Sequence, residues 1–226
     1  MNCRSIIAAV LFVSAATAAS AQYTSQPSYG SSPQNKAELV LLGGYAWTLS
    51  KEVYYDYYSA YPYGELDVDD AAYYGAALDF NVTRGGGKTG QVRLLYRRED
   101  STVQFTPYTI TASSEPFSND AVIEYWHIGG LGGVTRGNAM PFTSVTLGGT
   151  RLIANGEDEW KFSMIFGLGV KVYTEGKVGF MIQGNWPITF TDTWGGVAVG
   201  GGGAGVAIGG TGISQLDVGG GLIVKF

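Results

Sequence analysis

The sequence has 226 residues, enough for one domain with a sizeable core, and its formal net charge is −5. The 45% hydrophobic content excludes a disordered chain, and the acidic balance argues against nucleic acid as a partner. Glycine, at 35 residues, is more than twice as frequent as usual, and charged residues make up only 15%, so the composition departs from that of an ordinary soluble domain.

The N-terminus has the three parts of a secretory signal peptide. Arg4 supplies the positive charge, residues 6–13 are apolar, and Ala19-Ser20-Ala21 fits a small-x-small cleavage site. A membrane anchor would need about 20 apolar residues, and this apolar run is shorter. The predicted organisation is a signal peptide at 1–21, a flexible Ser/Gln/Pro-rich tail at 22–36 and a folded domain at 37–226.

Eight later segments alternate between apolar and polar residues with the two-residue period of a β-strand. They are 37–49, 71–84, 91–98, 121–134, 142–154, 160–173, 178–189 and 213–226. Six of them have distinct faces, whereas 121–134 and 142–154 are strand-like with faces that are harder to separate. Tight turns at 85–89, 136–140 and 174–177 alternate with the longer connections at 50–70, 99–120 and 190–212, while 155–159 is a short exception.

Charge separates the two faces of the six clear segments. In the strand interiors the apolar faces carry no charged residue. The polar faces, in contrast, include Glu38, Asp79, Arg93, Arg97, Lys171, Asp217 and Lys225. A soluble β-sandwich, with its apolar face inside and its polar face in water, would show the same alternation, so charge alone leaves that alternative open.

Three further features favour a membrane barrel. Aromatic residues lie near strand ends, the segments are long enough to cross a bilayer at a tilt, and the polar faces are rich in glycine, which makes room inside a narrow barrel. The aromatic residues are Tyr45, Trp47, Tyr74 and Trp186, and the glycines are Gly44, Gly75, Gly167, Gly169, Gly219 and Gly221. An open edge would leave unpaired amides in hydrocarbon. The predicted fold is therefore all-β, an eight-stranded antiparallel up-and-down transmembrane β-barrel.

The seven charged residues of the polar faces would then form a polar network in the barrel lumen. Unpaired buried charges are costly, so they should pair. Counting from the turn at 85–89 places Asp79 near Arg93 and Arg97, and closure of the barrel would bring Glu38 to Lys225 at the rim. The alternative is that this polar interior conducts small ions.

The chain ends in the sequence LDVGGGLIVKF. With the signal peptide, the eight amphipathic strands and the alternating loops, this ending resembles the small Gram-negative outer-membrane β-barrels: the transmembrane domain of outer-membrane protein A, outer-membrane proteins X and W, and the opacity proteins. The resemblance implies an assembly signal at Gly221, Val224 and Phe226, although Gly219 stands where a polar residue is usual. It also implies the barrel-assembly machinery, outer-membrane lipids and lipopolysaccharide as partners, periplasmic termini and long outer loops.

On that orientation, the outer loops hold 14 of the 19 acidic residues of the chain. Divalent cations could bridge these carboxylates to lipopolysaccharide, or the acids could simply keep the loops soluble. The first loop carries six tyrosines, which fit either a binding surface or an extension of the interfacial aromatic girdle. They are Tyr54, Tyr55, Tyr57, Tyr58, Tyr61 and Tyr63. Residues 195–212, which are rich in glycine, are predicted to be a flexible outer loop.

No catalytic, cofactor or metal site is predicted. His127 is the single histidine, and Trp126, Ile128 and Gly129 beside it offer no nucleophile or acid. We therefore expect an outer-membrane protein without enzymatic activity, with a structural or surface-interaction role through acidic, Tyr-rich loops. The alternatives are a narrow channel or transporter for small or hydrophobic solutes and, third, a lipid A-modifying enzyme.

Overall fold

The computed structural model describes residues 36–49, 51–53, 64–107, 117–154, 156–190, 194–200, 203–209 and 212–226. The predicted signal peptide, nearly all of the predicted tail and the six loop tyrosines lie outside these residues, as does part of each long connection. No helix in the described part of the chain is both long and apolar enough to cross a membrane.

Eight antiparallel strands form a closed ring. The described strands, in chain order, are β1 (Ala37–Leu49), β2 (Lys51–Val53), β3 (Gly64–Val68), β4 (Ala71–Gly85), β5 (Lys88–Pro107), β6 (Phe117–Val134), β7 (Ala139–Ala154), β8 (Glu157–Tyr173), β9 (Val178–Phe190), β10 (Trp194–Gly200), β11 (Gly203–Gly209) and β12 (Gly212–Lys225). The order around the ring is β1-β4-β5-β6-β7-β8-β9-β12, and β12 pairs again with β1, with Glu38 opposite Lys225. The predicted up-and-down barrel is confirmed.

The ladder between β9 and β12 has one gap. Ser214 pairs with Ile188 and Asp217 with Asn185, but the two residue pairs between them are not bridged. The register is the same on both sides of the gap, so no residue is inserted. Pro187 lies there and has no N–H to donate, while its pairing with Ile165 on β8 is intact.

The predicted apolar faces form an exposed belt. Large side chains on these faces, such as Leu41, Leu168 and Ile182, are 50%, 50% and 70% exposed, whereas the neighbouring polar-face residues are buried. A water-soluble barrel would bury these side chains. The alternation is therefore of the membrane type, with lipid outside and polar groups inside.

The interior of the barrel is filled by side chains that fit against glycine. The ring of Tyr73 covers Gly44 and Gly219, and a Cβ atom at Gly219 would lie 2.0 Å from the Tyr73 hydroxyl. At Gly44 a Cβ atom would lie 2.4 Å from the Val218 carbonyl oxygen, a backbone atom that cannot move freely. The glycines of the polar faces thus make room for large inward side chains, as the sequence predicted.

The two segments with indistinct faces, β6 and β7, turn a mixture of polar and apolar residues inward. Ile123, His127 and Leu131 are buried on β6, and Phe142 and Thr146 are buried on β7. Their outward residues are apolar over most of the strand. The mixed inner face explains why alternation in the sequence was weak here.

The tight turn between β4 and β5 is specified by two glycines. Gly86 and Gly87 have φ values of 58° and 75°, and Gly85 pairs with Lys88 across the turn. Positive φ at both central positions is the requirement of a type I′ hairpin. The register of the two strands shifts by one residue between Thr83 and Asn81, and beyond that shift Asp79 pairs with Arg93. The turn and the shift together therefore set this pairing.

The end of the barrel away from the chain termini, which we call the outer end, has more strand than predicted. β5 has 20 residues and β6 has 18, more than the roughly 10 that a tilted strand needs to cross hydrocarbon. Their outer ends pair with each other, β3 pairs with β5, and β2 pairs with β3. We call this four-stranded extension the outer sheet. The expected loop at 99–120 is therefore largely strand.

Two other expected loops are also corrected. Residues 157–159, expected in a connection, belong to β8 and pair with β7. Residues 194–200 and 203–209, expected to be mostly a flexible loop, form the two-stranded sheet β10–β11. In the sequence, Val or Ile alternates with Gly or Ala at Val197, Val199, Val206 and Ile208, and β-branched residues favour strand even where glycine is abundant.

Candidate functional site

One cluster of buried charges lies in the half of the interior near the chain termini. We call it the inner network: Glu38, Asp79, Arg93 and Lys171. The Lys171 ammonium donates hydrogen bonds of 2.7 Å each to the Glu38 and Asp79 carboxylates and to the Gln91 side-chain oxygen. An ammonium has three N–H donors, so this lysine is fully satisfied although its side chain is 0% exposed.

Arg93 completes the inner network with a two-point contact. Its Nε and Nη2 atoms donate to the two carboxylate oxygens of Asp79 at 2.7 and 2.8 Å, and Nη1 donates to Gln183 at 3.3 Å. Tyr173 donates its hydroxyl hydrogen to Glu38 at 3.0 Å. Two cations and two anions balance, and charge-assisted bonds of this kind are the strong ones.

A second cluster, the outer network, lies nearer the outer end. Arg97 donates to Asp217 and to Glu99, and Gln215 donates to Glu99 at 2.9 Å. Asn185 donates to Asp217 at 2.6 Å. The network contains two carboxylates for one guanidinium, so with both ionised it would carry one excess negative charge.

Aromatic rings pack on the guanidinium of the outer network. The Arg97 guanidinium carbon lies 4.0 Å from the centre of the Tyr73 ring and 5.2 Å from that of Tyr125. Tyr125 also donates to Gln215 at 2.6 Å. The rings fill space beside the ion pairs and favour the cation through their electron-rich faces. The two networks therefore connect strands that are not neighbours in the ring.

The structure places six of the seven predicted lumen charges in these networks. Lys225 is different: its ammonium lies 3.4 Å from the Thr174 carbonyl oxygen and over the Tyr173 ring, at the rim. Glu38 lies opposite Lys225 in the ladder, but its carboxylate faces inward and binds Lys171. The expected contact between Glu38 and Lys225 is therefore replaced, because Lys171 reaches the same carboxylate across the lumen.

Two further expectations about pairing need correction. Arg97 was expected near Asp79 but binds Asp217 and Glu99, because its neighbour across β4 is Gly75. Glu99 was expected in an outer loop but is 0% exposed. The alternation of β5 could have predicted that Glu99 faces the lumen, since Glu99 follows Arg97 by two residues and therefore lies on the same face as Arg93 and Arg97.

The single histidine has partners that the sequence did not indicate. His127 Nε2 lies 2.8 Å from the Ser163 hydroxyl oxygen and Nδ1 lies 3.2 Å from that of Thr146. His127 is 5% exposed and Ser163 is 0% exposed, and no acid occupies the third position. The arrangement is a buried hydrogen-bond chain between β6, β7 and β8.

Acidic residues surround a cavity at the base of the outer sheet. It has a volume of about 600 Å³, and its lining includes Asp69, Asp70, Asp100 and Asp120. Asp69 and Asp70 also form hydrogen bonds to other strands. Asp70 accepts a hydrogen bond of 2.9 Å from the Thr48 amide, and Asp69 accepts one from the Gln104 side chain. No group of three or more metal-ligating residues with suitable geometry occurs among the described residues.

Charged residues also lie on the outward face near the outer end. We call them the outer collar: Arg98, Glu124, Arg151 and Asp158, on β5, β6, β7 and β8. Arg98 and Arg151 each lie 3.6 Å from a carboxylate oxygen of Glu124, one on either side. The prediction of an uncharged face covered only six segments. Glu124 and Arg151 lie on β6 and β7, whose faces were not separated, and Asp158 lies in an expected connection. Arg98 is the last residue of the predicted segment 91–98, whereas β5 continues to Pro107.

No protein-family model and no curated protein matches the chain. Among solved structures, it is similar to Neisserial surface protein A, with 11% identity and a TM-score of 0.51, over 84% of this chain and 97% of that one. It is also similar to the outer membrane protein OprG from Pseudomonas aeruginosa, with 13% identity and a TM-score of 0.51, over 85% and 97%. At these identities the likeness establishes a common fold. With its closed ring and apolar belt, the chain therefore has the fold of the small integral outer-membrane β-barrels of eight strands.

Proposed function

We propose that the protein is a non-conducting outer-membrane barrel that acts through its outer end, by surface interaction and by supporting the envelope. The observation that carries this proposal is the filled interior. Side chains from opposite walls meet in the inner and outer networks, which supports a closed lumen. The outer sheet and its acids are then the part of the molecule available to partners outside the cell.

The contacts across the lumen favour an interior closed by side chains, which we call the plug, over an open pore. Lys171 on β8 binds Glu38 on β1 and Asp79 on β4, and Arg97 on β5 binds Asp217 on β12. An eight-stranded barrel has an interior that side chains nearly fill. Moving an ion through would require breaking these buried pairs, and an unpaired buried charge is costly.

The acidic outer end supports a role in surface contact. Acids that project from a barrel rim create a negative field that attracts cationic partners and is screened by salt. The six loop tyrosines, from Tyr54 to Tyr63, would add amphipathic contact area.

We also propose that the protein is not an enzyme and needs no cofactor. The pair of Ser163 and His127 is the nearest approach to a nucleophile and base in the described barrel. Both residues are buried, and the second histidine nitrogen meets a threonine hydroxyl instead of a carboxylate. Gly221, Val224 and Phe226 remain the proposed signal for the barrel-assembly machinery.

Planar-bilayer recording tests the plug. The wild-type protein is expected to show no stable openings, because the networks block the lumen. Replacing Asp79 and Arg93 together by alanine removes a balanced pair and opens space, so this variant is expected to show small or flickering conductance. Stable openings of the wild type would contradict the plug and support the narrow channel.

Binding of an oligolysine peptide tests the acidic surface. In zwitterionic vesicles at low salt, D69N/D120N is expected to bind the peptide several-fold more weakly than wild type, and the difference should shrink at about 0.5 M salt. The matched control is Glu175→Gln, which removes an exposed acid from a periplasmic turn. Equal binding by wild type and D69N/D120N, or an equal loss in the control, would argue against surface recognition at the outer end.

A further inference from the structure

We propose that the end of the barrel near the chain termini binds anionic phospholipid headgroups through a circle of basic side chains. We call this circle the basic rim, and its described members are Lys36, Lys88, Arg136, Lys177 and Lys225. The inference rests on the barrel lying in a membrane, as the proposed function does. It goes beyond that function because it concerns the opposite end of the molecule, where the partner is the surrounding lipid leaflet.

Backbone hydrogen bonds join the turns and termini at this end into a continuous ring. The Thr135 amide, after β6, donates to the Gly87 carbonyl oxygen, in the turn after β4, at 2.7 Å. The Lys225 amide donates to the Lys177 carbonyl oxygen at 2.7 Å, and the Lys36 amide donates to that of the last residue at 3.1 Å. Bonds of the same kind join β8 to the turn after β6 and β4 to the start of β1. The backbone of each basic residue is therefore held in place around the circumference.

The basic rim has almost no acid to balance its cations. Glu175 is the only acidic residue in the tight turns at 85–89, 136–140 and 174–177. The first acidic residue of the chain is Glu38, which is buried in the inner network, so no segment before Lys36 supplies a carboxylate. Lys36, Lys88 and Lys177 are exposed, and none of them takes part in an ion pair among the described residues. The rim is therefore a cationic surface available to an anion from outside the chain.

Outward apolar residues end directly beside the basic rim. Val178 follows Lys177 and is 40% exposed, Phe226 follows Lys225 and is 59% exposed, and Val82 is exposed near the end of β4. A strand rises about 3.3 Å per residue, so these cations lie within about 3–7 Å of the apolar belt. Lysine and arginine at this depth place their charged groups among lipid headgroups. The level of the cations therefore favours lipid over a protein partner in the aqueous phase.

The cations are spread around the circumference. Lys88, Arg136 and Lys177 lie at three successive tight turns, each two strands from the next, which is roughly 10 Å by the usual strand spacing. Lys36 and Lys225 complete the circle where β1 and β12 close the barrel. A circle of separated cations fits a shell of lipid molecules, each presenting its own phosphate, better than one compact anion.

The chemistry of the basic rim predicts selectivity for charge. A basic residue close to an anionic membrane surface is attracted to it, several such residues act together, and salt screens the attraction. The lysine ammonium is a point charge and needs no fixed two-point geometry. We therefore expect the rim to prefer anionic phospholipids, such as phosphatidylglycerol and cardiolipin, over zwitterionic ones.

The test measures which lipids surround the basic rim by fluorescence quenching in mixed vesicles. Cys3 is the only cysteine of the chain, so a fluorophore can be attached at Gly176→Cys in a Cys3→Ser protein, beside Lys177. Lipids that carry a nitroxide near the headgroup quench this fluorophore on contact. With the rim unaltered, labelled phosphatidylglycerol is expected to quench about twofold more strongly than the same amount of labelled phosphatidylcholine. This ratio should fall toward one in about 0.5 M salt, which tests the charge dependence without any substitution in the rim.

Three variants in this labelled protein test the origin of the preference. K36Q/K88Q/K177Q removes three exposed cations of the rim, and its quenching ratio is expected to be near one. K36R/K88R/K177R keeps the charges and should keep the ratio. R98Q/R151Q removes two cations near the other end of the barrel and should also keep it. The gel mobility of each unheated protein shows whether the variant has folded.

Several outcomes would overturn the proposal. A ratio near one with the rim unaltered would show no lipid preference, and an unchanged ratio in K36Q/K88Q/K177Q would show that the rim is not its source. An equal loss in R98Q/R151Q would show an effect of net charge alone. Binding of soluble polyglutamate without any lipid preference would identify an acidic protein as the partner instead. Conductance and oligolysine binding should be unaffected in the rim variants, so this proposal and the proposed function can fail separately.

Discussion

Replacement of Lys171 by methionine is expected to lower the free energy of unfolding by about 3–5 kcal/mol. Lys171 is fully buried and neutralises carboxylates from two other strands, Glu38 and Asp79. Methionine has a similar length, so the interior stays filled while the cation is removed. The remaining network then has two buried carboxylates and only Arg93 to balance them. Equilibrium urea unfolding in lipid vesicles at neutral pH measures the loss.

The control is Lys177→Met, which makes the same chemical change at an exposed position in the turn between β8 and β9. It is expected to change stability by less than about 0.5 kcal/mol. The double variant E38Q/K171M removes one charge of each sign and should recover a large part of the loss, since Asp79 and Arg93 stay paired. A Lys171→Met protein as stable as wild type would mean that the inner network does not hold the barrel together.

Replacement of Arg97 by glutamine is expected to cost a similar amount, about 3–5 kcal/mol, whereas Glu99→Gln is expected to cost less than about 1 kcal/mol. Arg97 is the single cation of the outer network, so its loss leaves Glu99 and Asp217 unpaired. Glu99→Gln removes the excess negative charge and keeps an oxygen that can accept from Gln215. The two changes occur two residues apart on the same strand and have nearly opposite electrostatic consequences.

Arg98→Gln is the matched control, since it makes the same substitution at the next residue on the outward face. Arg98 is about one third exposed, and exposed ion pairs contribute roughly 0–1 kcal/mol. The three variants can be compared by urea unfolding in phosphatidylcholine vesicles. Comparable losses for Glu99→Gln and Arg97→Gln would show that the outer network needs both carboxylates charged, against the charge balance inferred from its geometry.

Much of the barrel could be predicted because its chemistry repeats every second residue. Lipid requires apolar outward residues, and the narrow lumen requires small or polar inward ones, so each strand shows its two faces directly in the sequence. β6 and β7 gave weaker signals because Ile123, Leu131 and Phe142 are also turned inward. Apolar residues on both faces blur the alternation without changing the fold.

The sequence predicted which residues lie in the lumen better than it predicted which of them form ion pairs. Parity alone assigned Arg93, Arg97 and Lys171 to the interior, but the partners of each depend on strand register and on side chains that cross the lumen. Lys171 reaches Asp79 from a strand on the far side of the ring. Such contacts join residues 92 positions apart, and no local pattern specifies them.

The outer end was the least predictable region. Acidic and polar residues suggested loops, yet β5 continues through Glu99 and Asp100 because β3 and β6 supply hydrogen-bonding partners beyond the barrel. The same continuation moves Arg98 from the end of the predicted segment to the middle of β5, where it pairs with Glu124 of the outer collar. The polar residues of this region predicted a solvent-exposed loop, whereas pairing with neighbouring strands gave the backbone an extended conformation.

The sequence by itself determined that these strands have an apolar face and a polar face, and that glycine would line the crowded interior. Those properties follow from the two environments of each strand, lipid outside and a polar lumen inside. The polarity of each residue indicates which of the two it faces. Only the tertiary structure decided which charges neutralise one another, how far the strands rise beyond the membrane, and where charge returns to the outward face. These are consequences of register and closure, which depend on how all eight strands align around the ring.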